Sequence, residues 1–351
     1  MTGAPTATDW PTAIADDAQL EDLLSAPSAA AIDALRQLPG DVVVLGVAGK
    51  MGPTLARMVR RAADAAGSDR RVIGVSRFSE AGQEAALQAH GVETIRGDLL
   101  DDAFLAALPD APLVIYMAGR KFGSSGDESL TWAMNAWLPG VVARRYADSR
   151  IAAFSTGNVY GLSPIGRGGS QETDQPSPVG EYAMSCLGRE RLFEHASRSR
   201  GTRLAILRLN YATEMRYGLL VDLARKVAAG ETIDLTMGHA NVIWQGDANA
   251  MAIASLAHAS SPPYVVNLAG PDELKVREVC IALGERMGRT PTFTGTEAGD
   301  ALLSNGTRGW TDLGEPVVSL DRMLDWTAEW VARGGASLGK PTHFESRDGK
   351  F

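Results

Sequence analysis

Apolar residues follow two rhythms along the chain. Continuous runs stand at Val42-Val43-Val44-Leu45, Val72-Ile73-Gly74-Val75, Leu113-Val114-Ile115-Tyr116, Ile151-Ala152-Ala153-Phe154 and Leu204-Ala205-Ile206-Leu207, with a more polar one at Val92-Glu93-Thr94-Ile95. Runs of this length rich in β-branched residues predict strands buried on both faces of a parallel sheet. Between them the apolar positions take helical spacing, as at Leu55, Met58 and Val59 within 53–66, again over 81–88, and over a long stretch at 129–146. Strands alternating with helices predict an α/β fold with a doubly wound parallel sheet and right-handed crossovers.

Leu20/Leu23/Leu24 and Ala31/Leu35/Leu38 predict a helical hairpin ahead of the sheet, ended by Pro39-Gly40. After Arg208 the rhythm loosens, with helices expected near 218–229, 248–258, 275–287 and 320–331 and a strand returning to the sheet at Val265-Val266. The expected organisation is an N-terminal extension over 1–39 and a dinucleotide-binding domain over 40–208, with a return near 240–270. A smaller C-terminal substrate lobe follows over 209–338, then a tail over 339–351. The stretch up to about Trp10 and the polar tail both read as loose termini.

The 351 residues are 45% hydrophobic, enough for a substantial core, and carry a formal net charge of −8. That charge offers no diffuse positive field, so nucleic acid is not an expected partner and any phosphate site must be built locally. Cys186 and Cys280 form neither a disulfide framework nor a zinc site, and the five histidines are scattered singly, so no metal is expected. No apolar run approaches the roughly 20 residues of a membrane span. These features lead to the expectation of a cytoplasmic protein with no membrane partner.

Gly46-Val47-Ala48-Gly49-Lys50-Met51-Gly52 lies between the first predicted strand and the next helix. Glycines there let a backbone turn sharply and approach a pyrophosphate, while the helix start offers unpaired N–H groups, so a Rossmann-type nicotinamide dinucleotide site is predicted. The second strand ends in Ser76-Arg77 rather than in a carboxylate that would hold a ribose 2′-hydroxyl. A guanidinium can grip a 2′-phosphate, so the NAD(P) expectation leans to NADP.

These residues resemble the extended short-chain dehydrogenase/reductase family of the epimerase/dehydratase type, over about 41–331. Gly97-Asp98-Leu99-Leu100 is similar to its adenine-contacting segment, and Tyr116-Met117-Ala118-Gly119 to its turn beside the cofactor. Lys121 falls where sugar-nucleotide epimerases of the family carry a cofactor-contacting lysine, and Asn135 matches its helical asparagine. Phe154-Ser155-Thr156-Gly157-Asn158-Val159-Tyr160-Gly161 resembles the segment with the catalytic hydroxyl, which falls at Thr156, and Tyr182-Ala183-Met184-Ser185-Cys186 resembles the catalytic Tyr-x-x-x-Lys. The resemblance implies that Tyr182 exchanges a proton and contacts the cofactor. The lysine that would lower its pKa is replaced by Cys186. Three readings stay open: another cation substitutes, Lys121 first and Arg189 second; Cys186 itself acts as a thiol acid, base or nucleophile; or hydride chemistry is lost and the protein is a dinucleotide-binding sensor.

In the substrate lobe, Asn158, Asn210, Tyr211, Arg216 and Trp244 are candidates for substrate contact, Trp244 by stacking on a sugar face and Arg216 by holding a carboxylate. The stretch resembling the family's diphosphate clamp has Ala240 at the arginine position and Asp247 matched. The substrate expected is therefore a secondary alcohol or ketone of a free sugar, sugar acid or polyol rather than a nucleotide sugar. The resemblance also implies a homodimer, paired through helices near 129–146 and 180–197.

Overall fold

Seven parallel strands form the central sheet in a computed structural model of the chain, which describes residues 10–121 and 126–349. They are β1 (Val42–Leu45), β2 (Val72–Ser76), β3 (Glu93–Arg96), β4 (Leu113–Tyr116), β5 (Arg150–Thr156), β6 (Arg203–Leu209) and β7 (Tyr264–Leu268). Their spatial order is β7-β6-β5-β4-β1-β2-β3. Every side chain of β1 and β4 is buried, as the unbroken apolar runs require of strands covered on both faces. Leu45 lies beside Val75 on one side and Tyr116 on the other, so the order reverses at β1 and leaves a crevice at the carboxyl ends.

The helices are α1 (Asp17–Leu24), α2 (Ala29–Gln37), α3 (Gly52–Ala65), α4 (Gln83–Ala89), α5 (Asp102–Ala107), α6 (Glu128–Trp132), α7 (Leu138–Arg145), α8 (Gly180–Arg200), α9 (Leu219–Ala229), α10 (Gln245–Ala254), α11 (Val276–Met287), α12 (Thr307–Leu313) and α13 (Leu320–Ala332). One sheet face is covered by α2, α3 and α10, the other by α5, α7 and α8. The stretch expected as one helix over 129–146 is divided by a π-helical turn at Ala133–Trp137, and Pro139, which has no N–H to donate, sits in the first turn of α7.

A second core gathers Leu20 and Leu24 of α1 with α9, α11, α13 and Trp244. The N-terminal hairpin is thus divided, since Ala31 and Leu35 of α2 belong to the sheet's core. The returning strand is present as β7, paired with β6 from Tyr264↔Ala205 to Leu268↔Leu209. The C-terminal segment is not a loose terminus over its described part. Phe344 is buried in the second core, Thr342 donates to Asp222 through N (2.7 Å) and Oγ1 (2.6 Å), and Glu345 and Arg347 pair with Lys226 and Asp300. Among the described residues no helix is long and apolar enough to cross a membrane.

Candidate active site

At the carboxyl end of β1 the chain turns through Gly46, whose φ of +87° and whose absent Cβ, which would lie 2.7 Å from Ala118 N, both require glycine. Gly52 is required by packing as well, since a Cβ there would meet Val47 O at 2.1 Å. Gly49 differs: a Cβ would meet only Gly46 O, at 3.4 Å, so the protein's own packing leaves that side open to a ligand. The helix α3 starts at Gly52 with no side-chain cap from Met51, whose side chain packs into the sheet's core. Uncapped N–H groups of this kind suit an anion, and the loop fits a dinucleotide pyrophosphate.

Lys50 extends across the crevice, its Nζ 3.3 Å from the centroid of the Tyr217 ring. Burial, with the charges of Lys121 and Lys340, lowers its pKa to about 7. At the end of β2, Ser76 is half-buried and Arg77 exposed, with Arg77 Nη1 4.0 Å from Asp98 Oδ2. Leu99 packs its side chain into the sheet's core, so only its backbone remains for a ligand. Met117 N donates to Leu45 O at 2.9 Å, which holds the turn Met117-Ala118-Gly119 against the glycine loop.

Thr156 ends β5 and its hydroxyl donates to Asn158 Oδ1 at 2.8 Å. Tyr182 stands near the start of α8, and the side chains of Thr156 and Cys186 act on its phenol. Lys121 Nζ lies 5.8 Å from the Tyr182 ring centroid and donates to Thr342 O at 3.4 Å. Burial, reinforced by Cys186, pushes the Tyr182 phenol well above the ordinary tyrosine range, while Arg189 and the Thr156 bond draw it back. Burial likewise lowers Lys121 to about 8, against the pull of Cys186 and Asp222.

Cys186 has no exposed surface, packs among Val159 and Tyr160, and has its thiol pushed up by burial. A thiolate nucleophile needs the opposite environment, so the thiol-catalyst reading is set aside. Arg189 is buried too and donates to Phe154 O, Asn135 Oδ1 and Asn135 O.

The structure separates the substrate candidates. Trp244 is 1% exposed and packs on Trp326 with ring centroids 5.4 Å apart, so it stacks on protein rather than on a sugar. Arg216 is neutralised by Glu21 at 2.7 Å and Glu214 at 3.2 Å, which leaves it no charge for a substrate carboxylate. Asn210 is buried behind Gly157 and bonded to Asn241 Oδ1 at 2.5 Å. Tyr211 stands half-buried with φ at +40°, a conformation costly for a tyrosine and common at ligand sites. Asp222 and Thr342 join Lys121 at the crevice and were not anticipated. One lies in the first turn of a helix and the other in a polar tail, and neither has a local signal.

A parallel sheet in this order, a glycine turn after its first strand and a Thr156–Tyr182 pair at its carboxyl edge define a dinucleotide-binding protein of the extended short-chain dehydrogenase/reductase type. The sequence model of the NAD dependent epimerase/dehydratase family matches residues 42–250, and the chain belongs to that family, whose members are enzymes. No curated protein matches the chain at the level of sequence. Among solved structures, it is similar to the UDP-glucuronic acid 4-epimerase of Bacillus cereus in complex with NAD (18% identity, TM-score 0.69) and to the UDP-glucose 4-epimerase of Thermotoga maritima with UDP-glucose (20%, 0.69), each over 84% of this chain and 99% of that one. The dTDP-glucose 4,6-dehydratase of Bacillus anthracis in complex with NAD is similar at 15% identity and TM-score 0.71, over 84% and 97%.

Proposed function

We propose that the protein oxidises, reduces or epimerises a secondary alcohol or ketone of a carbohydrate-like molecule, with Tyr182 exchanging the proton and Thr156 orienting the reacting oxygen. The observation that carries this reading is the meeting of Thr156, at the end of β5, with the Tyr182 phenol at the carboxyl edge of the sheet. Gly46, Gly49, Gly52 and the start of α3 would hold the dinucleotide, whose nicotinamide supplies the hydride acceptor or donor. With its pKa held high, Tyr182 keeps its proton at neutral pH and can act as a proton donor. The phosphorylated cofactor is favoured by Ser76 and the exposed Arg77, with no carboxylate ending β2. A dissociation constant for NADP no lower than that for NAD would remove this preference.

A free sugar, sugar acid or polyol suits the crevice better than a nucleotide sugar. Ala240 is buried and uncharged where the resembling enzymes place an arginine, and Arg216 is already paired. A diphosphate loses much of its grip without a bidentate cation. The discriminating assay follows reduced-nicotinamide absorbance with sugars, sugar acids and polyols in one arm and with UDP-glucose, UDP-glucuronate and dTDP-glucose in the other. Turnover confined to the second arm would overturn the substrate class, and redox silence in both would count against catalysis itself. The exposed Trp132, Trp137, Met184 and Leu192 on α6 to α8 support a homodimer through that face.

A further inference from the structure

Helix α8 places a neutral thiol one turn beyond Tyr182 and a guanidinium about one turn beyond that. Arg189 is 6% exposed. Its Nη1 donates to Phe154 O at 2.6 Å, its Nη2 to Asn135 Oδ1 at 2.9 Å and its Nε to Asn135 O at 3.3 Å. None of these acceptors is a carboxylate. Glu190, the next residue, turns to Arg208 at 2.7 Å and to Ser155 at 2.6 Å instead. Burying a charge among neutral acceptors is costly.

The surroundings of Arg189 say where that field acts. Gly119, in the turn beside the glycine loop, has no room for a Cβ because Nη2 would lie 2.5 Å away. Asn135 Oδ1 also accepts from Arg120 N at 2.8 Å, and its Nδ2 donates to Arg120 O at 2.8 Å and to Ser185 Oγ at 3.0 Å. Phe154 precedes Thr156 by two residues on β5. One side chain therefore ties together the three segments that carry Thr156, Tyr182 and the cofactor turn.

We propose that Arg189 is a positioning residue that supplies the standing positive field on Tyr182, in place of the cation that Cys186 forgoes. The inference rests on the reading of Tyr182 as the proton-transfer group. Among the described residues, the groups acting on Tyr182 are Cys186 and Arg189 on its own helix, Thr156 from β5, and Lys121 from the turn after β4. Cys186 opposes ionisation of the phenol, and Lys121, with its pKa near 8, sheds its charge before a tyrosine ionises. An arginine keeps its charge throughout.

The test titrates Tyr182 directly, as the tyrosinate absorbance of wild type minus that of Tyr182→Phe, in NAD-saturated protein taken to alkaline pH. Arg189→Met should raise the midpoint by at least about one unit, a tenfold change in the ionisation constant. Arg189→Lys should stay within about half a unit of wild type, and Cys186→Lys added to Arg189→Met should bring the midpoint back. If Arg189→Met does not fold, Arg189→Gln replaces it, keeping an amide donor for Phe154 O without the charge. Coincident midpoints in wild type and the charge-free variant would overturn the proposal. Where the wild-type phenol does not ionise before unfolding, fluorotyrosine at position 182, a more acidic phenol, brings the midpoint into the folded range and the same comparison decides. If instead Tyr182→Phe turns over substrate like wild type, the reading under Proposed function fails, whatever Arg189 does.

Discussion

The three glycines of the phosphate loop carry different burdens, and substitution separates them. Gly52→Ala sets a methyl against Val47 O and should cost about 1–3 kcal/mol of stability. Gly49→Ala meets nothing closer than 3.4 Å, so its melting temperature should hold while dinucleotide affinity falls. Thermal melts paired with dinucleotide titration read both, and a Gly49→Ala protein that binds like wild type would remove the phosphate role of that side of the loop. Lys50 makes a second residue-level prediction. Unfolded, it keeps its proton to about 10.5, and folded only to about 7, so between these values the unfolded chain binds more protons and the cost of burying this lysine falls as pH rises. A bound pyrophosphate reverses the shift, and at pH near 8 dinucleotide binding should take up protons. Calorimetry in two buffers of different ionisation enthalpy measures the uptake, which Lys50→Met should largely abolish. The sequence offered Thr156 and Tyr182 as candidates because their motifs are local. It left Trp244 open between the core and a sugar face, because Trp326, which buries it, lies far along the chain.

Among the elements, the C-terminal segment carries the largest difference between its appearance and its position. Pro341-Thr342-His343-Phe344-Glu345 has no periodicity and a single large apolar side chain, so nothing local marks it as fixed. That one side chain is 1% exposed in the second core. Phe344→Ala should cost about 3–5 kcal/mol, read as a lower urea midpoint at unchanged slope. A loss below about 0.5 kcal/mol would mean that the segment is not held in solution. The division of the 129–146 stretch had one local signal, Pro139, which lacks the N–H that an unbroken helix would use there. It matters to the site, since Asn135 sits within that turn and bonds to Arg189, Arg120 and Ser185.

For the whole molecule, the apolar runs sufficed to read the sheet, because parallel strands with right-handed crossovers admit few arrangements. How the chain is shared between the two cores was less legible. It leaves the sheet after β6, returns for α10 and β7, leaves for α11, and sends α12 back against β7. Gln245 and Asn249 of α10 both donate to Thr54 Oγ1, at 3.1 Å each, just behind the glycine loop. Such interleaving predicts one cooperative calorimetric transition for the two lobes, and a fragment spanning 40–208, deprived of β7 and α10, should not fold. Two resolved transitions would show the lobes to be independent. The exposed face of α6 to α8 is tested by Leu192→Glu, which should convert a sedimenting dimer to monomer while leaving dinucleotide affinity intact.

The divided N-terminal hairpin also limits how far the two cores can part. Helix α1 is anchored in one core and α2 in the other, and only residues 25–28 join them. At about 3.3–3.6 Å per residue, that tether reaches roughly 13–14 Å when drawn straight. The hairpin acts as a clasp, holding the two cores together on that side within the reach of those four residues.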